Sequence, residues 1–216
     1  MKLVIKVGGS LAIGPEGPRG DYIRKLISVI NEIAQNNQLV IGIGGGGMTR
    51  QYAKAIESFG LTDEQKEEMF IDIMRSNVRL LSFLLKGKPV FSLEDLNEKE
   101  KIQTIGGIAP GRSSDANAAL AAEKIRADLF IILTDVDGIY EEDPKKNKNA
   151  KKIDVIPFDE LEKFAIEGSP NNYGVVDPVA IKVIQRSKIP TIVCDGHDPR
   201  IILKILNGER VGTRIE

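Results

Sequence analysis

The sequence predicts an α/β protein, a three-layer α/β/α sandwich around a mostly parallel central sheet. Three observations carry this. Short, continuously apolar, β-branched runs recur along the 216 residues, amphipathic stretches separate them, and glycines cluster where several runs end. Apolar runs without alternation need burial on both faces, and helices between successive strands are what cover a parallel sheet. The chain is long enough to bury a substantial core, with 42% hydrophobic and 28% charged residues and a formal net charge of −1. That balance excludes a disordered, collagenous or disulfide-built chain, and it gives no reason to expect nucleic acid or a membrane as partner. The single cysteine, Cys194, has no internal disulfide partner, and the single histidine, His197, cannot build a metal site with it alone. A reducing compartment, the cytoplasm, is expected, with no protein-bound metal. No apolar run reaches the roughly 18 residues of a membrane span. Lys6 breaks the first apolar run too early for a signal peptide. With no repeat and no flexible linker, one domain is expected over residues 1–216.

In chain order, Leu3–Val7 reads as a strand ending at Gly8-Gly9-Ser10. A Gly- and Pro-rich loop runs from Ala12 to Gly20, and Asp21 is the expected N-cap of a helix to about Gln35. Its apolar positions Ile23, Leu26, Ile27, Ile30 and Ile33 follow the 3.6-residue period. Leu39–Ile43 is a second strand, closed by Gly44 to Gly47 and followed by a helix carrying Tyr52, Ala53 and Ile56. Asp63 is the expected cap of a long helix through Phe83. Pro89–Phe91 reads as a short strand and Asn97–Lys101 as a solvated connection. Gly106–Asp115 is then a loop, Ala116–Ile125 a small-residue helix and Asp128–Thr134 an apolar strand. Asp143–Lys152 is a charged surface excursion. Asp177-Pro178 opens a helix to Ser187 with Asp at the N-cap and Pro at its first position. Pro190–Cys194 is a last strand and Pro199–Leu206 a last helix.

Ligands of open α/β sheets gather beyond the carboxyl ends of the strands. Those ends are glycine-rich here: Gly8-Gly9-Ser10, Gly44 to Gly47, Gly106-Gly107 and Gly138. Missing Cβ atoms let backbone N–H groups approach an anion, and a following helix N-terminus adds positive potential. Three such turns at one edge suit a polyphosphate, although each alone fits an ordinary tight turn. Gly42, Gly44 and Gly47 match G-x-G-x-x-G, but the acidic residue that a dinucleotide site wants at the end of the next strand is missing, since Asp63, Glu64 and Glu67 fall in a predicted helix. No G-x-x-x-x-G-K-[ST] loop occurs either. Phosphoryl transfer needs positive charge along the migrating group. Lys6 and Lys182 are candidates for that charge, with Asp115 and Asp177 as carboxylates able to hold them; singly, each is equally well a surface lysine or a helix cap. Thr134 to Tyr140, followed by Asp143-Pro144, places polar groups and an aromatic directly after an apolar strand, where a purine could lie, or a tyrosine simply pack.

The residues that carry a resemblance are Lys6-Val-Gly-Gly-Ser10, Gly44-Gly-Gly46 with Arg50 and Tyr52, Arg75 with Asn77, Gly106-Gly107, Pro110-Gly111, Ser114-Asp115-Ala116, Thr134 to Tyr140, Asp143-Pro144, Val176-Asp177-Pro178 with Lys182, and Gly212-Thr213. In order and spacing the chain resembles the amino-acid kinase superfamily from first strand to last residue, and within it the branch of archaeal-type UMP kinases. The resemblance implies transfer of the γ-phosphate of Mg-ATP to a small phosphorylated acceptor, UMP first among them, in a homo-oligomer (hexamer or dimer). Residues to about 112 would form the acceptor half and those from about 113 the ATP half. Carried onto this chain, Lys6 and Lys182 would stabilise the transferring phosphoryl group, oriented by Asp115 and Asp177. Gly8, Gly9, Ser10, Thr134, Asp135, Gly138, Tyr140 and Asp143 would receive ATP. Gly44, Gly45, Gly46, Arg50, Glu67, Ile108, Arg112 and Ser114 would receive the acceptor, with the Arg50 fork on its phosphate.

The departures fall on the acceptor side. An Asp-x-x-Gly segment of the branch reads Glu67-Glu68-Met69-Phe70 here, and Phe70 narrows that space. The loop Thr-His-Pro-Gly-His-Thr-Thr-Asp reads Ile108-Ala109-Pro110-Gly111-Arg112-Ser113-Ser114-Asp115, which discards two polar groups and adds a charge. Gly47 stands where a lysine is common. The alternatives are therefore a kinase of another phosphate ester or of a carboxylate or carbamate, and a nucleotide-binding protein without turnover. The helix with Phe70, Ile71, Met74 and Val78 on one side either packs on the core or meets another subunit.

Overall fold

In the computed structural model, which describes residues 1–142, 144, 146–164 and 176–216, the elements follow the apolar pattern closely. In chain order they are β1 (Lys2–Val7), α1 (Gly9–Ala12), β2 (Ile13–Gly14), β3 (Gly17–Pro18), α2 (Gly20–Ile33), β4 (Gln38–Ile43), α3 (Gly46–Ala55), α4 (Asp63–Leu85), β5 (Lys88–Val90), β6 (Ile102–Ile105), α5 (Ser114–Ile125), β7 (Leu129–Thr134), β8 (Ile139–Tyr140), β9 (Lys152–Ile153), β10 (Val155–Ile156), α6 (Pro178–Ser187), β11 (Thr191–Asp195), α7 (Ile201–Leu206) and β12 (Thr213–Ile215). Two expected caps fall elsewhere. Arg19, not Asp21, stands at the N-cap of α2, and Thr62, not Asp63, caps α4 in a reciprocal pair with Gln65. Ile102–Ile105 and Thr213–Ile215 are strands that the apolar pattern alone does not single out, and the loop after Ala12 contains the small hairpin of β2 and β3.

Among the described residues one sheet of eight strands runs in the order β10-β12-β11-β7-β1-β4-β6-β5, parallel except where β12 meets β11. Period-two alternation sends Leu3, Ile5 and Val7 into one core layer with Ile23, Leu26, Ile30, Leu81 and Ile202. It sends Val4 into the other, with Phe130, Ile132, Ala118, Ala122, Ile181 and Ile184. The result is the expected three-layer α/β/α sandwich around a mostly parallel sheet. Register aligns the strand ends: Val7 lies opposite Ile43 and Leu133, Gly42 opposite Ile105, and Cys194 opposite Leu133. The turns after β1, β4, β6 and β7 therefore leave the sheet at one level, along one edge.

Candidate active site

Lys6 sits on the strand face that Val4 occupies, turned towards α5. The alanines of α5 let that helix settle close to the sheet; a Cβ on Gly42 would lie 3.0 Å from the Cβ of Ala118. Gly42 is thus a packing glycine inside β4 and has no part in a dinucleotide turn. Ser113 caps α5, its hydroxyl accepting from the Ala116 N–H at 3.0 Å. The carboxylate of Asp115, one residue into the helix, is consequently free to meet Lys6. The Nζ of Lys6 stands 2.7 Å from Asp115 Oδ1, with side-chain exposures of 10% and 16%. This is a charge contact without an aligned hydrogen bond, for that oxygen accepts none. The position in the first turn also favours the carboxylate through the helix dipole.

The glycine turns meet backbone to backbone beside this pair. A Cβ on Gly9 would lie 2.8 Å from both N and Cα of Gly46, and Gly46 itself has φ +60. No side chain fits between the turns. The first N–H groups of α3 have no intrahelical partner and open towards the strand ends. Gly8 departs from its expected part: its N–H is already given to Leu133 O at 2.9 Å, so it donates nothing to a ligand. Gly44 O accepts from the Nδ2 of buried Asn77 at 3.0 Å, and a Cβ on Gly44 would meet Ser114 Oγ at 3.0 Å. Where Gly45 lacks a Cβ, the hydroxyl of Thr49 fills the space. Gly107, with φ +59, is held by Arg75, whose Nε donates to its carbonyl at 3.0 Å. Gly47 has a plain steric reason: a Cβ there would lie 2.6 Å from Pro15 N and 2.7 Å from Gly14 C, so the β2–β3 hairpin occupies the side-chain space.

Arg50 on α3 is exposed, and Glu67 on α4 is half-buried beside half-buried Phe70. Ile108 packs on the α5 core layer, and exposed Arg112 follows Gly111, whose φ is +71. Among the described residues Arg50, Glu67 and Arg112 make no hydrogen bond or ion pair within the chain, so their charges remain available to a ligand. Ser10 is exposed in α1, beside Gly9.

The other half of the edge is built differently. Asp177 caps α6, accepting from the N–H groups of Val179 at 2.9 Å and Ala180 at 3.2 Å. Lys182, one turn on, is exposed and has no ion pair to Asp177 or to another described residue. The second lysine–carboxylate pair expected from the sequence is therefore not formed. Thr134 ends β7 half-buried, its hydroxyl donating to exposed Asp135 at 3.3 Å. Gly138 turns with φ +153, and the Tyr140 hydroxyl donates to Asp137 at 2.7 Å, which raises the phenol's pKa above its ordinary range. Asp143 lies outside the described residues.

Sequence reasoning did not assign Asn77 and Arg75 to the site. Their signal was there: Asn77 falls on the helical stripe of Met74, Val78 and Leu81, where an amide needs a buried partner.

With this geometry in place, comparisons with known proteins agree on its kind. The chain matches the family model described as the amino acid kinase family over residues 1–195. It is 37% identical to the uridylate kinase of Thermococcus onnurineus, covering 100% of both chains. It is 35% identical to that of Methanococcoides burtonii, covering 100% of this chain and 99% of the other. The crystal structure of uridylate kinase from Archaeoglobus fulgidus superposes with a TM-score of 0.88 at 35% identity over 100% of both chains. The UMP kinase of Bacillus anthracis shares the fold, at a TM-score of 0.81 and 20% identity.

Proposed function

From the premise that the chain belongs to the amino acid kinase family, we infer that it transfers the γ-phosphoryl group of ATP to UMP, giving ADP and UDP. The observation that carries the reaction type is the Lys6–Asp115 pair, nearly closed to solvent, where the glycine turns of β1 and β4 touch. An oxygen of the acceptor phosphate attacks Pγ, the bond from Pγ to the β,γ-bridging oxygen breaks, and ADP leaves. The acceptor oxygen is already anionic, so no general base is needed. What the protein must supply is fixed positive charge and donors along the line of transfer. Lys6 is held for that purpose by Asp115. Gly9 and the first amides of α3 add donors, and Lys182 closes on the phosphates from α6. Mg²⁺ enters as part of the substrate, Mg-ATP.

Residues to about 112 serve the acceptor, with Arg50 on its phosphate and Glu67, Ile108, Arg112 and Ser114 around it. Those from about 113 serve ATP, with Thr134, Asp135, Gly138 and Tyr140 lining its pocket. Full-length likeness to proteins named uridylate kinase supports UMP over other acceptors. No helix among the described residues is long and apolar enough to cross a membrane. We place the enzyme in the cytoplasm, in pyrimidine nucleotide synthesis, as a homo-oligomer (dimer or hexamer) joined through α4. Ile71 and Val78 of that helix are buried in the core, Phe70 and Met74 are half-buried, and Phe83 and Leu84 are 74% and 47% exposed. Sedimentation at a monomer mass alone would contradict the oligomer.

The test is ADP release from Mg-ATP over a panel of UMP, CMP, AMP, isopentenyl phosphate, carbamate and acetylglutamate. Turnover with UMP far above the rest is expected. Preference for another phosphate ester would show that Phe70, Ile108 and Arg112 reshape the acceptor pocket. Absence of turnover with every acceptor would leave a nucleotide-binding protein.

A further inference from the structure

We propose that Thr213, on the C-terminal strand, is a positioning residue for the nucleotide turn Thr134–Tyr140, acting through its buried hydroxyl. The proposal rests on the reading of that turn as the ATP side of the site.

Thr213 is 0% exposed, yet its hydroxyl has a full set of partners. It accepts from the Ile139 N–H at 2.8 Å and donates to Ile153 O at 2.6 Å. Ile139 and Ile153 are register partners in the small antiparallel pair of β8 and β9. One hydroxyl, using both its donor and its acceptor capacity, is thus spliced between the strands of a two-residue pairing too short to hold itself. The glycine before it fits this arrangement. Gly138 has φ +153, and a Cβ there would lie 2.7 Å from Thr213 Oγ1. The same hairpin sets the polar groups of the turn: Lys152 pairs with Asp137 at 3.6 Å, and Asp137 accepts the Tyr140 hydroxyl. Fixing Ile139 and Ile153 therefore fixes where Asp137 and Tyr140 stand.

The approach of Thr213 is itself constrained. Gly212 has φ +66, and a Cβ there would meet Val193 O, so the chain passes tightly over the end of β11 to deliver the hydroxyl. A merely structural part for Thr213 would be to hold β12 in the sheet. That strand is already held by backbone pairing with β11 through Val193, Ile192 and Thr191 and with β10 through Val155 and Ile156. The hydroxyl is not needed for that pairing, and its bonds go to the hairpin instead.

Thr213→Val keeps the side-chain shape and removes both bonds, whereas Thr213→Ser keeps them. ATP binding by calorimetry, KM for ATP and for UMP, and thermal melting would be measured on the full chain. Thr213→Val is expected to weaken ATP binding about tenfold while KM for UMP stays within about twofold, with Thr213→Ser restoring ATP affinity. Unchanged ATP affinity in Thr213→Val, with only the melting temperature lowered, overturns the proposal and leaves the kinase reading untouched. A wild-type chain that does not bind ATP overturns the reading of the nucleotide half and the proposal with it. Should Thr213→Val fail to fold, hydrogen exchange at the Ile139 N–H of the wild type decides. Slow exchange, slowed further by ATP, is expected, and exchange as fast as an open loop contradicts the latch.

Discussion

Two lysines and two aspartates stand at the same edge of the sheet, and they are in opposite conditions. Lys6 and Asp115 come from the central strand and the helix pressed onto it, at 2.7 Å and almost shielded from water. Asp177 is occupied with its own helix, and Lys182 extends into solvent. The first pair is ready before substrate arrives, since neither charge can stay buried without the other. At the second, the lysine has no ion pair among the described residues, and in the proposed reaction the nucleotide phosphates would draw it in, its ordering being a cost of binding. Under the proposed function, one half of the charge for transfer is preformed and the other is recruited.

Substitutions that break this contrast rank by size. Lys6→Met is expected to lower kcat by about 10²–10³. It should also cost on the order of 3 kcal/mol in stability, because Asp115 is left uncompensated. The double variant Lys6→Met with Asp115→Asn should recover most of that stability and none of the turnover. Recovery of turnover would remove Lys6 from the chemistry. Lys182→Met should reduce kcat by about 10² yet leave the melting temperature unchanged, as the side chain is exposed and has no ion pair among the described residues. A large loss of stability there would show a pairing that the present geometry does not contain. Asp177→Ala should cost about 1 kcal/mol through the lost cap, whereas Asn caps nearly as well as Asp. Asp177→Asn therefore isolates the charge. If turnover falls with stability intact, Asp177 orients Lys182 during catalysis; if neither moves, it is a cap alone. Smallest of all, Cys194 is buried and its thiol is pushed up to about 12, so thiol reagents at pH 8 should label only the unfolded chain.

The central strands were legible because burial on both faces forces unbroken apolar runs, and Leu3–Val7, Leu39–Ile43 and Asp128–Thr134 are such runs. Ile102–Ile105 was not, since it carries Gln103 and Thr104, both 0% exposed. Their partners, the backbone of Asn97 and the carbonyl of Val78, come from the preceding loop and from α4. A polar residue satisfied by a distant carbonyl reads as a loop residue until the chain is folded. The same limit applied to the site. Lys6, Asp115 and the glycine turns could be read as candidates, but that Lys6 is paired while Lys182 has no partner among the described residues depends on contacts across the fold. Gly8 looked like Gly9 in sequence, and only the bond to Leu133 O separates an amide already engaged from one that is available.

The most direct test follows the label from γ-³²P-ATP with UMP, comparing the wild type with Lys6→Met under saturating Mg-ATP. The expected result is label in UDP for the wild type, and for the variant ATP still bound but label transfer slowed by about 10²–10³. Label released as inorganic phosphate, or transferred equally well without Lys6, would contradict a phosphotransferase built around the Lys6–Asp115 pair.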